Sequence, residues 1–336
     1  MKQIAFFETT KTEETYLRRQ LAKTYRLKFF RETIQSVSPS EFSKADVISV
    51  FIYSSVSKEL IAKLKNLTLI AARSTGFNHI NIKEAHRRRV TVVNVPYYGE
   101  NTVAEHTFAL ILSLSRNIHK AFVRTSRNDF SLRGLQGFDL KGKTLGVIGA
   151  GSIGLHVIRM AKGFGMKIIV ADPQRNHLLS ETLDFTYVSL NDLLKTSNII
   201  TIHCPLNDHT RHLINMTNIR TVKRGALFIN TARGAIIETQ ALHYALNTGL
   251  FAGAGLDVFE GEELLLEENQ MLSKNVPVEK LRTALEKSLL LKMENVILTP
   301  HMGFDSVEAV ERILQTTVEN ILAFDKGLPQ YVVTPE

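Results

Sequence analysis

The sequence predicts an α/β protein built from two doubly wound parallel-sheet domains, and three observations carry that reading. Short apolar runs of strand length alternate with longer stretches of helical spacing along almost the whole chain. The strand runs, "VISVFI" (47–52) and "ALFIN" (226–230) among them, are nearly continuous in apolar character, as strands covered on both faces must be. The strand series stops near residue 95 and begins again near 143, which separates one sheet in residues 1–100 from another between about 120 and 300. A chain of 336 residues is long enough for both to have their own core.

In order, "QIAFFE" (3–8) reads as the first strand, and "TKTE" (10–13) as a capping box that opens a helix to about residue 23. "VISVFI", "LTLIAARS" (67–74) and "VTVVNV" (90–95) are the next strands, with helical stretches between them. An apolar-rich helix is expected over 101–118, followed by a loop-like passage over 126–143. The second series starts at "TLGVIGAGSIG" and ends with "VILTP" (296–300). It is interrupted over 260–295 by a charged, Leu-rich helical segment, read as an insertion. The terminal stretch 306–327 has helical spacing and is free to pack back on the first sheet.

Composition narrows the class. At 44% hydrophobic and 22% charged the chain is that of an ordinary globular protein. No apolar run reaches the ~18 residues that span a bilayer, and no signal-peptide h-region opens the chain. The single cysteine, Cys204, has no internal partner and reads as a small packing residue, so a reducing cytoplasm is the expected location and no membrane partner is expected. The net charge of +8 lies entirely in the first hundred residues, which hold 17 Lys and Arg against 9 Asp and Glu. Neither interleaved aromatics nor a recognition motif accompanies that charge, so no nucleic-acid partner is expected either; solvated helix faces account for it.

The most specific stretch is "KTLGVIGAGSIGLHVIRMAKGFGMKIIVAD". A strand runs into Gly149-Ala-Gly151-Ser152-Ile153-Gly154, a helix follows, and the next strand ends in Asp172. This is the Rossmann dinucleotide pattern in its full context. Gly149 permits the tight turn, Gly151 the approach of a pyrophosphate, and Gly154 the packing of helix on strand, while the helix start offers N–H donors. Asp172 is placed to accept from a ribose and to repel a 2′-phosphate, which favours NAD over NADP, although Arg175 lies three residues on.

Each later strand leads to chemistry-bearing residues. They are His203 and Pro205 after "NIITI", Thr231 and Arg233 after "ALFIN", and Asp257 with the run Glu260-Gly-Glu262-Glu263 after "AGAGL"; His301 follows "VILTP". In a parallel sheet these share the carboxyl edge with the glycine loop, where ligands bind. Hydride exchange with a carbonyl needs a proton donor, a carboxylate to hold it, and a fixed cation for an acidic substrate. Arg233 supplies the cation. Spacing leaves the carboxylate open among Glu260, Glu262 and Glu263, and leaves His203 and His106 as rivals of His301.

"ARSTGFNHINI" (72–82), "VPYYGENTVAEHTFALIL", "GVIGAGSIG", "HCPLNDHTRHLIN", "FINTARGAIIE", "GLDVFEGE" and "LTPH" together resemble, in order and over almost the whole chain, the D-isomer-specific 2-hydroxyacid dehydrogenases, and within them the D-lactate dehydrogenase branch. The resemblance implies Glu262 as the carboxylate, His301 as proton donor, and Arg233 as the group holding the substrate's carboxylate and keto oxygen. It implies cofactor contacts at the glycine loop, Asp172, His203, Pro205, Thr231 and Asp257, and no metal. Backbone N–H groups of Ser74-Thr75-Gly76 would grip the carboxylate. The substrate domain would be discontinuous, 1–100 plus 302–336, hinged near 101 and 302 to an NAD-binding domain over 101–301. A homodimer joined through the coenzyme domains and the 119–142 passage is also implied.

Tyr98 and Phe304, with Phe51 or Ile52, resemble the lining of a small apolar pocket, which favours pyruvate or a somewhat larger 2-oxo acid. Asn78 and Asn81 stand where many relatives carry Asp, the 260–295 segment is longer than in compact members, and "PHMGF" departs from the usual residues after the histidine. Rival readings are a glyoxylate/hydroxypyruvate or phosphite-type dehydrogenase, and an NADH-sensing corepressor on the same scaffold.

Overall fold

The computed structural model describes residues 1–262 and 278–335, which form two compact units, Met1–Tyr98 with Ser306–Glu336, and Gly99–Asp305. The chain runs β1 (Gln3–Phe6), α1 (Lys11–Leu21), β2 (Arg26–Phe29), α2 (Pro39–Phe42), β3 (Val47–Val50), α3 (Lys58–Lys63), β4 (Leu69–Ala72), α4 (Ile82–Arg87) and β5 (Thr91–Val93). It continues with α5 (Glu100–Ser115), α6 (Ile118–Thr125), β6 (Thr144–Ile148), α7 (Ser152–Gly163), β7 (Lys167–Ala171), α8 (His177–Leu183), β8 (Thr186–Tyr187), α9 (Leu190–Thr196) and β9 (Ile199–Ile202). The last elements are β10 (Ala226–Asn230), α10 (Thr239–Thr248), β11 (Phe251–Leu256), α11 (Val278–Leu291), β12 (Val296–Leu298) and α12 (Val307–Asp325).

The first unit holds a parallel five-stranded sheet in the order β2-β1-β3-β4-β5. Strands β3 and β4 are buried at every position, with an apolar layer on each face. Thr10 caps α1 with the reciprocal Glu13 bond of a capping box. Helix α12 returns to this unit against α1 and β4. The C-terminal tail then covers edge strand β5, where Val333 N–H donates to Val92 O (2.9 Å). Strand β2, RLKF, turns Leu27 and Phe29 toward the apolar layer and Arg26 and Lys28 outward, and it pairs with β1.

The second unit holds a parallel seven-stranded sheet in the order β12-β11-β10-β9-β6-β7-β8, with apolar layers on both faces. Strand ALFIN is buried at all five positions. Helix α5 lies on β10 and β11 because β11 offers glycine: a Cβ on Gly255 would stand 2.9 Å from Leu110 Cβ, and one on Gly253 3.2 Å from a Leu114 methyl.

The helix expected over 101–118 is in fact two. It stops at Ser115, where Phe138 N–H takes the Ser115 carbonyl (2.9 Å), and Asn117 turns left-handed (φ +51°) before α6 begins. Of the expected 260–295 insertion, α11 is described, and 263–277 lie outside the described residues. No described helix is long and apolar enough to cross a membrane.

Candidate active site

The order of the second sheet reverses between β6 and β9, and the loops leaving these two strands meet there. Gly149, at φ +95°, could carry no Cβ, because it would stand 2.6 Å from Cys204 N. A Cβ on Gly154 would lie 2.1 Å from Gly149 O, so only glycine lets α7 start this close to β6. Gly151 differs: a Cβ there would meet nothing within 4 Å. Above it the N–H groups of Gly151, Ser152 and Ile153 have no acceptor among the described residues, and no side chain caps α7. An open cradle under unpaired donors fits a pyrophosphate. Asp172 closes the cradle: its carboxylate accepts from Ala150 N (2.7 Å) and Gln174 N (2.8 Å), which holds it beside the loop.

Loss of solvation pushes the half-buried His203 imidazole down to about 3, and its Nε2 pairs with the Thr201 hydroxyl (2.9 Å). It stays neutral at physiological pH, so it is no proton donor there. Burial raises the Cys204 thiol to about 11, which agrees with a packing role. Pro205 is exposed, and its carbonyl accepts from Thr210 (2.6 Å). Thr231 is buried with its hydroxyl against Thr107 (3.0 Å) on α5.

Beyond β10, Arg233 stands at the head of a short turn that must be glycine next: a Cβ on Gly234 would stand 1.9 Å from the Phe259 backbone. That contact seats the Arg233 turn on the chain leaving β11. The Arg233 guanidinium bonds only the Ala232 carbonyl (2.7 Å) among the described residues. Glu260 reinforces the seat, with one oxygen on His212 Nε2 (2.6 Å) and the other on the Thr239 hydroxyl (2.7 Å) at the start of α10. Glu262, two residues on, turns the other way: Oε1 meets His301 Nδ1 (2.9 Å) and Oε2 accepts from Phe259 N (3.3 Å). The structure thus separates two carboxylates that spacing could not. Arg233, Glu260 and Glu262 all line one cavity of about 510 Å³.

His301 has left-handed backbone (φ +53°), seldom adopted outside glycine, and Asp257 holds it there. The Asp257 carbonyl accepts from His301 N (3.0 Å), while its carboxylate accepts from Met302 N (2.9 Å) and Gly303 N (2.8 Å). His106 meets Thr299 (3.1 Å) and Asp257, so it belongs to this support. Asp257 is 2% exposed; burial opposes its charge, but the bonds from His106, Thr299 and Gly303 prevail and hold it below the usual carboxylate range. These supports were not legible in the sequence.

Ser74, Thr75, Gly76 and Tyr98 fall in the first unit and Phe304 in the second. Ser74 is buried, Thr75 exposed, and Tyr98 half-buried with its carbonyl on Arg312 (2.7 Å).

A nucleotide cradle, with a histidine–carboxylate pair and an arginine at the same sheet edge, defines a nicotinamide-dependent oxidoreductase. Residues 108–303 match the family described as "D-isomer specific 2-hydroxyacid dehydrogenase, NAD binding domain". The chain is 34% identical to the D-lactate dehydrogenase of Escherichia coli, over 96% of this chain and 97% of that one. It is 38% identical to an aromatic 2-oxoacid reductase of Clostridium sporogenes, over 83% of each. A crystal structure of D-lactate dehydrogenase from Aquifex aeolicus, complexed with NAD and lactic acid, superposes with a TM-score of 0.87 at 36% identity, covering 96% of both chains. The chain belongs to the D-isomer-specific 2-hydroxyacid dehydrogenase family and is an NAD-dependent oxidoreductase of that family.

Proposed function

We propose that this protein reduces a small, pyruvate-like 2-oxo acid to the D-2-hydroxy acid. The observation that carries the reading is the His301 Nδ1–Glu262 bond at 2.9 Å, with Arg233 on the same cavity as Glu262. Bound NADH supplies the hydride to the carbonyl carbon. Glu262 as a carboxylate can only accept, so His301 Nδ1 donates to it; in the imidazolium form Nε2 also carries a proton, which passes to the substrate oxygen and leaves the ring neutral. Arg233, always charged, takes the carboxylate and polarises the keto oxygen. Ser74, Thr75 and Gly76 are the backbone donors proposed for a substrate carboxylate, and Tyr98 and Phe304 the apolar residues proposed for its side chain. Asp172, its carboxylate held beside the glycine loop, disfavours a 2′-phosphate and hence NADPH.

The enzyme acts as a homodimer through the coenzyme domains and the 119–142 passage, a reading supported by the exposed apolar side chains of Phe122 (72%), Phe130 (76%) and Leu132 (84%). Sedimentation of the purified protein checks this.

The test of the reaction is NADH absorbance against a panel of 2-oxo acids from glyoxylate through pyruvate to phenylpyruvate, with NADPH as control and chiral analysis of the product. Oxidation of NADH to a D-product, strongest with a small apolar side chain, is the expected result. An L-product, or silence across the panel with NADH bound, would overturn it.

A further inference from the structure

Three consecutive carbonyl groups in the loop after β4 are tied inward. Ser74 O accepts from Val95 N–H (3.1 Å), Thr75 O from the Asn94 side-chain amide (2.8 Å), and Gly76 O from the Ser74 hydroxyl (2.7 Å). No described peptide bond is cis, and a trans peptide points its N–H opposite to its C=O. The N–H groups of Thr75, Gly76 and Phe77 therefore face away from these partners, and none has an acceptor among the described residues. Behind the row lies Arg73, 1% exposed, its guanidinium bonded to the carbonyls of Phe7 (2.6 Å), Glu8 (3.0 Å) and Ser49 (3.3 Å).

Asn94 is the fixed point of this arrangement. It is 9% exposed, its carbonyl accepts from the Asn320 amide on α12 (2.9 Å), and its N–H donates to Tyr331 O in the C-terminal tail (3.2 Å). Its side chain is thus held to one task.

We infer that Asn94 is a positioning residue for substrate binding: with the Ser74 hydroxyl it sets the Thr75–Gly76 and Gly76–Phe77 peptides so that a row of N–H donors selects a carboxylate. An amide in that place would set its own N–H donors against the row, so the device discriminates 2-oxo acids from their amides. The inference rests on the proposed carboxylate role of the loop.

The test compares Asn94→Ala, Asn94→Asp and Ser74→Ala with the unaltered protein, using pyruvate and pyruvamide with NADH. Asn94→Asp sets an acceptor against the Thr75 carbonyl, and Ser74→Ala releases the next peptide without touching α12 or the tail. KM for pyruvate should rise roughly tenfold or more. The kcat and the NADH affinity should hold, and the preference for pyruvate over pyruvamide should shrink by the same factor. An unchanged KM, or parallel loss with acid and amide, overturns the inference; if Asn94 variants fail to fold, Ser74→Ala decides. Turnover by none of the proteins with any 2-oxo acid, the unaltered one included, would instead bring down the functional reading on which it stands.

Discussion

Two loops of this protein leave backbone N–H groups unpaired at the carboxyl ends of parallel strands, and they do so by opposite means. After β6, glycine does the work locally: Gly149 turns left-handed, Gly154 admits the helix, and the donors are those any helix start leaves free. After β4 no helix follows at once, and the donors are freed because Val95, Asn94 and Ser74 occupy the carbonyls. The first device is written in six consecutive residues. The second depends largely on Asn94 and Val95, about twenty residues away, with only Ser74 nearby, and so leaves little trace in local sequence.

The largest expected effect separates both loops from the chemistry. His301→Gln should lower kcat by about 10²–10⁴-fold, while NADH binding measured by fluorescence stays intact. Retained turnover would show that the proton comes from elsewhere.

A pair of substitutions sharpens the local device. Gly154→Ala forces a methyl to within 2.1 Å of Gly149 O, and overpacking of this kind costs about 1–3 kcal/mol of stability in thermal or urea unfolding. Gly151→Ala meets nothing in the protein, so it should melt like the unaltered chain yet bind NADH more weakly. Equal melting of the two variants would contradict the distinction between packing and cradle.

The next effect is one of pH. His203 has its folded value pushed down to about 3 from an ordinary 6.5, so between these values the unfolded chain binds a proton that the folded one refuses. Its stabilising contribution is complete above 6.5 and is lost as pH falls toward 3. Melting temperature should therefore drop less steeply over that window in His203→Gln than in the unaltered protein; parallel curves would remove His203 from the account.

Much of the fold was legible because local and tertiary preferences agree. The Thr10 capping box, the buried ALFIN strand and the alternating βα order all needed only nearby residues. Strands β2 and β8 were not read from the sequence, being short and only partly buried. The break at Asn117 also escaped, since it depends on Phe138 reaching the Ser115 carbonyl. At the site, residue types and strand ends marked Arg233 and His301, but spacing could not separate Glu260 from Glu262. Family resemblance chose Glu262. The structure shows the physical difference, one carboxylate on His212 and Thr239, the other on His301.

The most direct test of the central claim is Arg233→Ala, assayed for NADH oxidation with pyruvate and for NADH binding in the same preparation. The arginine has no carboxylate partner among the described residues and lines the cavity it shares with Glu262, so its loss should leave fold and NADH binding intact. Turnover should fall by about two orders of magnitude or more, the worth of one strong charge-assisted contact in the transition state. Unimpaired reduction of pyruvate by Arg233→Ala would contradict the claim that this arginine meets the substrate's carboxylate.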